Sequence, residues 1–117
     1  MSSSNKICDL QATLARMGDN VTLLKQLVEF CREDLPVYMA RLKAGIDAGN
    51  ATEVQMAAHS VKGLVVNFNA DSAINAATRL ERLGQTGDLS EATAAFHSLE
   101  RETSQLMTTI DDELAKF

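Results

Sequence analysis

The sequence predicts an all-α fold, an up-and-down antiparallel four-helix bundle with a short N-terminal capping helix. Three observations carry this. Apolar residues recur at steps of three and four along most of the chain. Strand signals are nearly absent: there is one proline, no tryptophan, and little apolar alternation of period two. Short Gly, Asp and Asn clusters separate the periodic segments, leaving loops that force neighbouring helices antiparallel. With 117 residues and 45% hydrophobic content, the chain is expected to form one domain over 1–117. A chain of this size can bury roughly two-thirds of its unfolded surface in a single core.

The elements follow in order. Residues 1–5, with their "SSS" run, are read as a disordered start or a cloning remnant. A short helix around 7–16 caps one end of the bundle. Val21, Leu24, Val28, Cys31, Leu35, Tyr38, Leu42 and Ile46 then keep one phase, which predicts a long helix from about 19 to 48. Pro36 falls inside it, removing one backbone hydrogen bond and crowding the carbonyl of Arg32. Because the phase survives, a bend is expected there, with a true break as the alternative. Segments 51–68 and 71–84 form the next two helices, the latter turning Ile74, Ala77 and Leu80 inward. Leu89, Ala92, Phe96, Leu99, Thr103, Leu106, Ile110 and Leu114 mark a second long helix. "GD" at 18–19 and "GDLS" at 87–90 place an Asp before each long helix, and "AGN" at 48–50 and "LGQTG" at 83–87 supply helix ends.

Composition narrows the function. A net charge of −5 argues against general nucleic-acid binding, which needs a basic stripe, and fits simple solubility. No apolar run approaches the roughly 20 residues of a membrane span, and "MSSSNKICDL" lacks a signal-peptide core, so a cytoplasmic protein is expected. Cys8 and Cys31 form no C-x-x-C pair or disulfide framework; Cys31 fits an apolar helical position as a small hydrophobe.

The stretch "MAAHSVKGLVVNF" at 56–68 concentrates the chemistry. On a helical wheel, Val54, Ala57, Ala58, Val61, Leu64, Val65 and Phe68 share one arc, and His59 lies about opposite its centre. The imidazole should therefore face solvent. Gln55, Met56, Lys62, Gly63, Val66 and Asn67 surround it on the same face. A glycine inside an exposed helix costs about 1 kcal/mol relative to alanine. Helical side chains lean toward the N-terminus, so a side chain at 63 would cover the surface over His59. Gly63 thus leaves the ring open, and Lys62 can lean back toward it. An accessible neutral imidazole can attack phosphorus, with the nearby cation offsetting charge.

These residues carry a resemblance. "AAHSVKGLVVNFNA" resembles the A-H-x-x-K-G core of histidine-containing phosphotransfer (HPt) domains of multistep two-component phosphorelays. "FCREDLPVYMARLKAGIDAGN" is similar to the family's preceding helix, and "LERLGQTGDL" to the segment after the motif. The resemblance implies that His59 is the phosphorylated residue, Lys62 the phosphate-side cation and Gly63 the access position. It also implies a carrier without kinase activity or a cofactor of its own, with Mg²⁺ supplied by a response-regulator receiver domain. A sensor or hybrid histidine kinase is the other expected partner, and the chain is expected to be a monomer. The sequence departs from the family at Leu64 and Val65, where small residues are common, and at Asn69, where glycine is common. The wheel puts Leu64 and Val65 in the core, and Asn tolerates the left-handed conformation that ends a helix.

Two other classes compete. A non-catalytic interaction bundle would dock a partner through the 55–67 face, with Gln55, Met56, Val66 and Asn67 as contacts, but would gain nothing from an uncovered imidazole. A metal-binding bundle would need three or four converging ligands, and His97, the other histidine, has no ligand-like spacing to Cys8 or Cys31 and is expected on the surface.

Overall fold

The computed structural model describes residues 7–117, so the expected disorder over 1–5 lies outside the described residues. Among the described residues, five α-helices follow one another: α1 (Leu10–Arg16), α2 (Val21–Asp47), α3 (Ala51–Val65), α4 (Asp71–Thr86) and α5 (Ala92–Leu114). A 3-10 turn, Val66–Phe68, continues α3. Helices α2 to α5 pack as a ring of antiparallel neighbours, α2 on α3, α3 on α4, α4 on α5 and α5 back on α2. Because α2 and α5 are 27 and 23 residues long against 15 and 16 for α3 and α4, they outlast the inner pair at one end. Helix α1 fills that end, touching α2, α5 and the 3-10 turn.

The predicted periodicities are the buried faces. Leu24, Val28, Cys31, Leu35 and Leu42 of α2 meet Val54, Ala57, Ala58, Val61, Leu64 and Val65 of α3 in one core with Ala92, Phe96, Leu99, Leu106 and Ile110 of α5. Val21, Tyr38, Ile46, Ile74, Leu89 and Leu114 pack at its margin, half-buried. Helix α2 runs through Pro36 without interruption, which excludes a break there. Burial pushes the Cys31 thiol up to about 11, consistent with an unreactive core position.

Several helix ends differ from expectation. The cap of α2 is Asn20, whose side chain accepts from the Leu23 amide at 3.0 Å, while Asp19 takes a left-handed turn at φ 60°. The cap of α3 is Asn50, accepting from the Glu53 amide at 3.1 Å, within the "AGN" expected to supply a helix end. Asp88 closes a turn onto the Ser90 amide at 3.0 Å and does not cap α5, which begins only at Ala92. Gly84, read as part of a helix end, is buried inside α4; that helix continues to Thr86 and ends on Gly87 at φ 81°. The 3-10 turn ends on Asn69 at φ 55°, the left-handed conformation expected of it.

Helix α1 is sewn to this corner. The Asp9 amide donates to the Phe68 carbonyl at 2.9 Å, and the Thr13 hydroxyl and Arg16 guanidinium both donate to the Asn67 carbonyl, at 2.7 and 2.8 Å. Phe68 is fully buried beneath these bonds. Phe68→Ala should therefore lower the unfolding free energy by about 3–5 kcal/mol, read from urea denaturation at unchanged m-value.

Candidate functional site

The wheel places His59 outward, and its side chain is 68% exposed. Met56 and Val66 flank it as exposed apolar residues, at 60% and 50%. A cleft of about 450 Å³ opens beside the ring, lined by Gln55, Met56, His59, Ser60 and Glu81. Helix α3 supplies four of these side chains and α4 the fifth.

Glu81 is the residue that sequence reasoning missed. Its carboxylate is only 12% exposed and bridges two groups of α3: Oε2 lies 2.8 Å from His59 Nδ1, and Oε1 accepts from Lys62 Nζ at 2.9 Å. The Lys62 hydrogen bond, with help from His59 and against the cost of burial, holds the Glu81 carboxyl below its ordinary value. Glu81 is thus ionised at neutral pH, and an ionised carboxylate only accepts hydrogen bonds. The proton of a neutral His59 ring must then sit on Nδ1, which leaves the lone pair on Nε2. One nitrogen is occupied by the protein and the other is free.

Lys62 departs from expectation. It does not lean on the imidazole but pairs with the same carboxylate, one helical turn from His59. The ammonium and the ring are therefore linked through Glu81. Gly63 is exposed, and a Cβ built there would meet nothing within 4 Å, the ring of His59 included. The openness at 63 concerns what approaches the ring, since a methyl group alone would not touch it. Asn67 turns its amide back onto the Gly63 and Leu64 carbonyls, at 3.3 and 3.2 Å, and so closes the end of α3. His97 is exposed as expected, on α5, with Glu100 at 3.5 Å.

The depressed carboxyl sets a sign for stability against pH. Glu81 binds a proton more weakly when folded than when unfolded, so its contribution is present above the unfolded carboxyl value of about 4.3. It is lost as pH falls through the lower folded value. The difference in urea stability between the parent and Glu81→Gln should accordingly be full near neutrality and close progressively below about pH 4.

Comparison with known proteins places this geometry in a family and a fold. A family model described as Hpt domain matches residues 26–113. The crystal structure of histidine-containing phosphotransfer protein B (HptB) from Pseudomonas aeruginosa PAO1 superposes with a TM-score of 0.87 at 23% identity, covering 97% of this chain and 99% of that chain. At that identity the likeness speaks for the fold. No curated protein matches the chain. The matched segment takes in α3, α4 and nearly all of α5, together with most of α2. The chain belongs to the Hpt domain family.

Proposed function

We propose that this chain carries a phosphoryl group on His59 between aspartates of response-regulator receiver domains, or from a sensor or hybrid histidine kinase to a receiver. The observation that carries the reading is the one-sided engagement of the imidazole, with Nδ1 bonded to an ionised carboxylate on a side chain that is otherwise largely exposed. In the forward step, the Nε2 lone pair attacks phosphorus in line, an N–P bond forms, and the bond from phosphorus to the receiver's aspartate oxygen breaks. The aspartate leaves with the electron pair. No proton need move. The ring becomes a cation bearing Nδ1–H and phosphorylated Nε2, and Glu81 already lies against that charge at 2.8 Å. Reversal returns the phosphoryl group by the same path.

Lys62 is the phosphate-side cation of this reading. With its side chain one-third exposed and one turn from the ring, the ammonium can turn from Glu81 Oε1 toward phosphoryl oxygens. Mg²⁺ comes with the receiver, and the location is cytoplasmic. Docking centres on the outward face of 55–67, where Met56 and Val66 supply apolar contact beside Gln55 and Asn67. It continues onto α2, where Leu23, Phe30 and Val37 are exposed at seven-residue spacing. Apolar centres with charged rims are the usual anatomy of such interfaces.

Incubation with a phosphorylated receiver and Mg²⁺ should give acid-labile, base-stable phosphate on the chain, and His59→Gln should abolish it while leaving helicity and melting nearly unchanged. Residual acceptance by that variant, or its unfolding, would remove His59 from the role.

Position 63 gives a graded test. Gly63→Ala should stabilise the fold by up to about 1 kcal/mol, since the added methyl meets open space. Transfer measured by stopped flow should slow in the order Gly, Ala, Ser, Gln as the side chain grows into the partner's path. Rates that stay level across the series would leave Gly63 as a tolerated surface glycine.

A further inference from the structure

At one point nothing but backbone separates α3 from α4. Gly84 is buried, and a Cβ there would lie 2.5 Å from the Gln55 amide nitrogen and 2.8 Å from both the Ala51 carbonyl oxygen and Gln55 Cα. These atoms belong to a helix and cannot swing aside as a side-chain tip would. Gly45 shows the contrast. A Cβ there would meet Glu53 Cβ, Glu53 Cγ and the Val54 amide nitrogen at 3.2 Å, which asks them to give by only a few tenths of an ångström. Gly63 and the glycines at the turns, Gly18, Gly49 and Gly87, face open space.

The register gives this contact its meaning. Glu81 precedes Gly84 by three residues on α4, and Gln55 precedes His59 by four on α3, so in antiparallel helices the two pairs lie about one turn, roughly 5 Å, apart. We infer that Gly84 is a positioning residue for phosphotransfer: its missing side chain sets the α3–α4 spacing that lets one Glu81 carboxylate reach His59 Nδ1 and Lys62 Nζ together. The consequence for phosphotransfer rests on the reading of His59 as acceptor; the consequence for the imidazole does not.

The size of the effect follows from the distances. Moving a 2.5 Å contact to the 3.4 Å lower edge of ordinary van der Waals separation needs 3.4 − 2.5 = 0.9 Å. A 2.8 Å hydrogen bond carried that far stands at 2.8 + 0.9 = 3.7 Å, outside hydrogen-bonding range. A methyl group at 84 should therefore release the ring, and the neutral imidazole should redistribute its proton between Nδ1 and Nε2.

The test reads the ¹⁵N shifts of the His59 ring by NMR in the full chain, at a pH where the ring is neutral, beside the transfer rate. The parent should hold the Nδ1–H tautomer. Gly84→Ala should move the shifts toward those of Glu81→Ala and slow transfer roughly tenfold, the scale of one charge-assisted hydrogen bond. Added to Glu81→Ala, it should change neither the tautomer nor the rate further. Gly45→Ala is the control for packing alone: its melting temperature can move, but its His59 tautomer should stay that of the parent. If Gly84→Ala does not fold, Glu81→Asp decides. Its carboxylate falls about 1.5 Å short, one C–C bond, and should lose the Nδ1 contact in an intact bundle. A parental tautomer in Gly84→Ala or in Glu81→Asp would overturn the assignment. A parent chain that accepts no phosphoryl group would sink the functional reading, while the tautomer comparison would still judge Gly84.

Discussion

Two backbones meet where Gly84 of α4 faces Ala51 and Gln55 of α3, and the arrangement at the imidazole follows from how little room that leaves. A glutamate side chain is short. It can serve a histidine and a lysine on a neighbouring helix only when that helix lies close, and here both oxygens are engaged at 2.8 and 2.9 Å. Ala57 and Ala58 of α3 and Ala73 and Ala77 of α4 are buried as well. Leu24, Leu42, Leu99, Leu106 and Ile110 on the two long helices supply large side chains to the core.

The bundle therefore divides its tasks by region. The half where all four helices run together positions the site, and the half where α2 and α5 outlast the inner pair is closed by α1. The second half is tied by directed bonds as well as packing: Arg32 of α2 meets Asp111 of α5 at 2.6 Å, and three donors of the α1 segment converge on the carbonyls of Asn67 and Phe68. The exposed Arg32–Asp111 pair adds little to stability on its own, because solvent screens it. The Asn67 and Phe68 bonds matter more for geometry, since they fix where α3 stops and hence the end of the face that carries Val66.

Most of the fold was legible in the sequence because one signal, apolar spacing at three and four, marks both the existence of a helix and its buried side. The outward placement of His59, Met56 and Val66 came from the same local reasoning, while the left-handed Asn69 followed from the glycine of the resembled family. What could not be read was pairing between helices. Glu81 is 22 residues from His59, and a wheel drawn on α3 cannot see it. A signal was present on α4 itself: Ala77, Glu81 and Gly84 fall at steps of four and three, which puts a carboxylate on the stripe of buried residues. A charge in that position needs a partner. Gly84 was misread for a related reason, since a glycine three residues before "GD" looks like punctuation, and only the neighbouring helix reveals it as a contact. The cap of α2 moved by one residue because Asn20 can accept from the backbone as well as Asp19.

A phosphocarrier faces opposing demands at its histidine. The ring must be open enough for the active site of another protein to close over it, yet held well enough that the correct nitrogen attacks. Exposure alone meets the first demand and fails the second, because a free imidazole exchanges its proton between two nitrogens and turns about its side-chain bonds. Burial would reverse the failure. Here the two demands are met on different sides of one ring. The α4 side is covered and charged, with Glu81 fixing Nδ1, while the other side is rimmed by Met56, Gly63 and Val66 and offers Nε2 with no side chain at 63 in the way. On the reading of His59 as acceptor, the same carboxylate would lie against the ring in both directions of transfer and stabilise its charged form equally in each.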